Sequence, residues 1–142
     1  MRQIEFRGKR IDNGEWVYGY YYELKEDPYI IEKGTGFFDI DNGEVVFGTA
    51  YCHSVDPSTI GQFTGLVDKN GKKIYEFDII KGHEWEKGKS HRHIGIVEYI
   101  SNSFRIVGIN KYLGFHGSVD GSYEVIDNIF DKESENESIN HV

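Results

Sequence analysis

Trp16-Val17-Tyr18-Gly19-Tyr20-Tyr21-Tyr22 follows directly on Asp12-Asn13-Gly14, and this sequence of a turn and an aromatic run decides the fold class. Asn-Gly is the dipeptide that a tight hairpin turn prefers, because its central residues need positive φ. In an extended strand successive side chains point to opposite faces. Trp16, Tyr18, Tyr20 and Tyr22 therefore share one face, and Val17, Gly19 and Tyr21 share the other. A glycine opposite such a stack lets another backbone or ring approach closely. The stripe reads as a cross-strand aromatic ladder or as a stacking and interaction surface.

Working outward, the same pattern recurs. Ile4-Glu5-Phe6-Arg7 is a strand ending at Gly8, and Tyr29-Ile30-Ile31-Glu32 follows Pro28. Phe37-Phe38-Asp39-Ile40 lies between Gly34-Thr35-Gly36 and Asp41-Asn42-Gly43, again hairpin-like, and Val45 to Tyr51 reads as one strand bent at Gly48. Val55 to Leu66 opens with Pro57, Ser58 and Thr59, which suit one helical turn, while Gly61 and Gly65 oppose a long helix. That segment is expected to be a structured linker packing Ile60, Phe63 and Leu66 inward.

Asn70-Gly71 turns the chain into Ile74-Tyr75 and Asp78-Ile79-Ile80. The polar stretch Gly82–Arg92 is expected to be a long exposed hairpin loop. Ile94 to Ile100 and Phe104 to Val107 form a hairpin through Ser101-Asn102-Ser103, and Tyr123 to Phe130 is the last strand signal, after a glycine-rich loop from Gly114 to Gly121. Short strands at this spacing without crossover helices indicate an all-β, antiparallel fold with a small barrel. The expected division is a β lobe over 1–58, a barrel lobe over 59–130 and a flexible, polar tail over 131–142.

Totals agree with that picture. The chain has 142 residues, about the size of one domain, and is 15% aromatic with 17 glycines and only 2 prolines. Its single cysteine, Cys52, forbids an internal disulfide and suits a reducing compartment. No apolar run nears the ~20 residues that cross a bilayer, and no signal-peptide core is visible. The expected location is therefore the cytoplasm, with no membrane partner. A net charge of −8 disfavours a whole-surface attraction to nucleic acid. Basic residues nonetheless gather at Arg2, Arg7, Lys9 and Arg10, and again at Lys69, Lys72 and Lys73.

Several motifs go beyond pattern. Arg7-Gly8-Lys9, Asp12 to Tyr20 and above all Thr59-Ile60-Gly61-Gln62-Phe63-Thr64-Gly65-Leu66-Val67-Asp68-Lys69-Asn70-Gly71-Lys72-Lys73-Ile74-Tyr75-Glu76 resemble the phage and prophage YopX family. Glu124 to Phe130 is similar to that family's closing signature. The resemblance covers Ile4 to Asp131 and implies a small β-rich protein without an established reaction; the segment around Asp78-Ile79-Ile80 is similar to SH3-like barrels. Where the family usually carries glycine, this chain has Phe77 and Asp127. Each position is therefore expected either to need no positive φ or to tolerate it at a cost.

Chemical constellations are sparse. His91 and His93 share a strand side, with His83, Glu84 and Glu86 on the opposing arm, and imidazole with carboxylate suits Zn²⁺. No His-Glu-x-x-His accompanies them. Cys52 and His53 are adjacent, so on a strand they point apart and form no nucleophile–base pair. Asp39/Asp41 and Glu76/Asp78 have same-face spacing, but both pairs adjoin turns, where Asp serves as a cap. No cofactor is implied. Three functions follow: a protein-interaction module with an unidentified protein partner, using the Trp16–Tyr22 face or the Gly82–Arg92 segment; a nucleic-acid binder using the basic residues; or a metal-dependent enzyme centred on His83, His91 and His93. Exposed sheet edges add a possible homo-oligomer.

Overall fold

Thirteen strands among the described residues carry the fold of the computed structural model, which describes residues 4–32, 38–41, 44–47 and 52–134. The chain divides into two compact units, Met1–Gln62 and Phe63–Val142.

In the first unit β1 (Phe6–Lys9), β2 (Trp16–Leu24) and β3 (Asp27–Glu32) form an antiparallel meander. β4 (Phe38–Asp41) and β5 (Glu44–Phe47) pair as a separate hairpin, and β6 (Cys52–Ser54) adds to β3. β7 (Gly61–Val67) begins in this unit, where Gly61 and Gln62 pair with β1, so the order is β6-β3-β2-β1-β7. The core is Val17, Ile30 and Val55, with Phe6 and Ile60 against it. Asp56 caps a single 3₁₀ turn, Pro57–Thr59, by accepting from the Ser58 N–H. Thr59 Oγ1 then accepts from the Lys9 N–H at 2.8 Å, which ties the turn to β1.

In the second unit the remainder of β7 pairs with β8 (Lys73–Tyr75). β9 (Asp78–Glu86), β10 (Lys89–Ile100), β11 (Ser103–Gly108), β12 (His116–Ser118) and β13 (Glu124–Asn128) form a five-stranded antiparallel sheet ordered β12-β11-β10-β9-β13. Ile74, Ile80, Val97, Ile106 and Tyr123 make its core. The all-β, antiparallel expectation holds. No described pairing joins β12 to β13, so the expected barrel is an open sheet by its hydrogen bonds.

Four expectations are corrected. The stretch from Gly82 to Arg92 is no loop: β9 and β10 continue through it as a two-stranded ribbon, and Lys87 and Gly88 close it with φ of 53° and 76°. Both central residues of that turn take the left-handed region, as a two-residue hairpin requires. The linker after Thr59 is the strand β7, and Leu66 on it is exposed. Part of the glycine-rich loop from Gly114 to Gly121 is the strand β12. The tail begins as a helix, α1 (Ile129–Ser134), because Asn128 Oδ1 accepts from the N–H groups of Phe130 and Asp131 while its Nδ2 donates to Asp131. Residues 135–142, Arg2 and the bend at Gly48 lie outside the described residues.

The two glycine-to-other exchanges resolve differently. Phe77 holds φ of 71°, so the left-handed backbone is kept at a cost. Its N–H donates to Val97 O, its carbonyl accepts from Ile129, and its ring meets Phe130 edge-on at 5.6 Å. Asp127 sits at a bulge in β13 without a positive φ.

Candidate functional site

The alternation of β2 does what its residues require. Val17 and Gly19 are buried, whereas Tyr18 and Tyr20 stand 44% and 47% exposed, with Trp16 and Tyr22 half-buried beside them. Register explains what accompanies the stripe: Lys9 lies opposite Trp16 and Arg7 opposite Tyr18. The Arg7 guanidinium carbon sits 4.6 Å and the Lys9 ammonium 5.3 Å from the Trp16 ring centre. Such contacts contribute about 0.5–2 kcal/mol each, depending on desolvation. Of these two residues expected to touch nucleic acid, Arg7 is buried at 5% exposure and Lys9 is half-buried beside the aromatic stripe.

The other cations are engaged differently. Arg10 grips Asp12 through both carboxylate oxygens, at 2.9 and 2.7 Å. That hydrogen bond raises the Arg10 pKa and holds the Asp12 carboxyl below its usual range. Lys69 pairs with Glu124 at 3.5 Å, and the Lys73 ammonium lies 5.2 Å from the Phe63 ring centre. Lys72 gives its backbone N–H to Asp68, a nearly buried carboxylate that also accepts from Asn70 and Val125. Burial pushes the Asp68 pKa up, but the three N–H donors prevail and hold it below the ordinary value.

The three histidines do not converge. His91 faces Glu84 and His93 faces Gly82 across the ribbon, on the same side of the sheet. His83 faces Arg92, and the period of two places it on the other side. Among the described residues no group of three or more His, Cys, Asp or Glu could hold a metal ion. Cys52 is half-buried, and burial pushes its thiol pKa up, away from a nucleophilic thiolate. Asp78 accepts from the Tyr75 N–H at 2.8 Å, a turn cap rather than an acid–base partner.

Two features of the second unit were not singled out from sequence. Trp85, near the ribbon tip, is 77% exposed. Beside it lies a cleft of about 440 Å³ whose lining includes Glu84, Glu86, His93, Phe115 and Asp120. The visible signal for Trp85 was a large apolar side chain inside an otherwise charged run. The cleft had none, since its walls come from β9, β10 and the segment around β12.

No helix among the described residues is long and apolar enough to cross a membrane. No curated protein matches the chain. The crystal structure of protein EF1440 from Enterococcus faecalis has a similar fold, with a TM-score of 0.58 at 22% identity, covering 95% of this chain and 99% of that one. The family profile described as YopX protein matches residues 5–134, from just before β1 to the end of α1. The chain belongs to the YopX protein family.

Proposed function

We propose that this chain is an accessory protein of phage or prophage origin that acts in the cytoplasm of the bacterial host by binding another protein through the β2 face. The observation that carries this reading is the pair Tyr18 and Tyr20, 44% and 47% exposed, next to a Trp16 ring held under Arg7 and Lys9. Tyr and Trp are among the residue types that dominate binding hot spots, because they bring large rigid area and a polar handle together; Arg7 is buried and supports the Trp16 ring instead. A second copy of this chain is one partner that would fit the same surface.

The nucleic-acid reading draws less support. Of its cations, Arg10 and Lys69 are matched by carboxylates, and Lys73 lies over an aromatic ring. The test is capture of partners from a bacterial lysate, with and without nuclease, by wild type and by a Tyr18→Ala/Tyr20→Ala double variant. The expected result is a protein retained despite nuclease and depleted at least about tenfold by the double variant. Capture that requires intact nucleic acid replaces this reading with the second one, and equal capture by the variant removes the β2 face. Sedimentation of the purified chain tests self-association.

A further inference from the structure

The cleft of the second unit has a chemistry unlike the β2 face, and it does not depend on that face. We propose that it receives a guanidinium group, the side chain of an arginine on a partner peptide.

The cleft starts where the core of the sheet ends. On the inward row of β9, Ile80 is followed by Gly82, then by Glu84 and Glu86. A Cβ on Gly82 would stand 2.4 Å from the Tyr123 ring, so the ring occupies the space a side chain would have taken. That fully buried tyrosine donates its hydroxyl to Glu84 Oε1 at 2.8 Å. Burial and this bond raise the phenol pKa, so the group stays a donor. The bond orients the carboxylate and leaves Oε2 without a hydrogen bond among the described residues. Glu86 makes neither a hydrogen bond nor an ion pair among them. Asp120 directs Oδ1 to the N–H and hydroxyl of Ser122, leaving its second oxygen.

The side chains opposite them on β10 do not pair with these carboxylates. Lys89 is opposite Glu86, and His91 opposite Glu84, yet neither forms an ion pair among the described residues. Three carboxylates therefore border a concave site. One wall is flat, with His93 stacked on Phe115 at 3.7 Å and 8° between the ring planes. His93 itself is half-buried, and its Nδ1, closed to solvent, has no hydrogen-bond partner among the described residues.

A metal ion does not suit the site, since no three ligands converge. A planar delocalised cation does: guanidinium presents paired donors to carboxylate oxygens and stacks on aromatic planes, which an ammonium cannot do. At about 440 Å³ the cleft is within the range of sites that enclose a small ligand, large enough for the whole arginine side chain.

The experiment is a titration of the ¹⁵N-labelled full chain, followed by amide shifts. The probes are acetyl-Gly-Arg-Gly-amide and its citrulline and lysine counterparts. The arginine peptide is expected to shift residues 84–86, 93 and 115–120 saturably, and the neutral citrulline peptide to bind at least about tenfold more weakly. Glu84→Gln, which keeps an acceptor for Tyr123, and Glu86→Gln are each expected to weaken arginine binding about three- to tenfold with the rest of the spectrum unchanged. Citrulline binding as tight as arginine overturns the proposal, as does an absence of saturable shifts at about 10 mM peptide. Lysine binding as tight as arginine overturns the guanidinium assignment.

Discussion

β2 and the β9–β10 ribbon are both long antiparallel strands, yet they distribute bulk in opposite ways. β2 turns Tyr18 and Tyr20 to solvent and keeps only Val17 and Gly19 inside. At Gly19 there is no room for more, because a Cβ would lie 1.9 Å from the Ile31 carbonyl oxygen. The ribbon instead buries Ile80 and Val97 at its root and turns acidic only past Gly82, where the Tyr123 ring closes the core. The two surfaces also differ in sign: Lys9, with the buried Arg7, accompanies the first, whereas Glu84, Glu86 and Asp120 border the second. Alternation decides which residues share a face. The space left by the neighbouring element decides which face can hold large groups.

The strongest way to break this comparison is Gly19→Ala. Its side chain would collide with backbone, and the expected loss is about 3 kcal/mol or more, read by urea denaturation and by lost exchange protection in β2 and β3. A variant as stable as wild type would refute the account of why β2 faces its aromatics outward. Asp68→Asn tests the second unit, where one carboxylate gathers three backbone N–H groups from the β7–β8 turn and β13. We expect a loss of about 2 kcal/mol near neutral pH, since hydrogen bonds to a charged acceptor are the stronger kind.

The pH dependence of that loss has a definite sign. The folded Asp68 pKa lies below the ordinary 3.8, so its stabilisation is fully present above that value and fades as pH falls through the folded value. The difference between wild type and Asp68→Asn should therefore shrink below pH 3.8, and a constant difference would show that the carboxylate charge is not responsible.

A smaller effect isolates backbone strain. Phe77→Gly and Phe77→Ala both delete the contact with Phe130, but only glycine suits φ of 71°. Phe77→Gly should be the more stable of the two by about 1 kcal/mol, and the reverse order would deny the strain. Tyr123→Phe should cost about 1 kcal/mol by removing the bond to Glu84, and thermal melting would measure it. The smallest effect belongs to Trp85→Ala, within about 0.5 kcal/mol, because a side chain 77% exposed supports little of the fold. A large loss there would mean that the ribbon tip is structural rather than available to a partner.

Sequence reading succeeded where neighbours along the chain carry the information. The shared face of Trp16, Tyr18, Tyr20 and Tyr22 needs only the period of two, and the hairpin at Ser101-Asn102 needs only a polar turn between apolar runs. It failed at the ribbon, where charge was taken for a loop although strands that extend past their core are polar on both sides. It also missed the turn between β2 and β3, closed by Lys25 and Glu26 at positive φ without a glycine. That His83 does not share a side with His91 and His93 was hidden for a simpler reason: odd and even positions on β9 and β10 had to be matched by register, which a single strand does not reveal.

By itself, then, the sequence determined the all-β class, the aromatic stripe and membership of the YopX family, since all three rest on local alternation, turn residues and contiguous motifs. Tertiary structure alone decided where Lys9 and Arg7 stand over Trp16, how Asp68 reaches Val125 across 57 residues and how Tyr123 orients Glu84 across 39. The cleft depends on the same kind of closure. Burial and charge pairing are set by which distant strands come together, and that depends on registers and packing no local pattern contains.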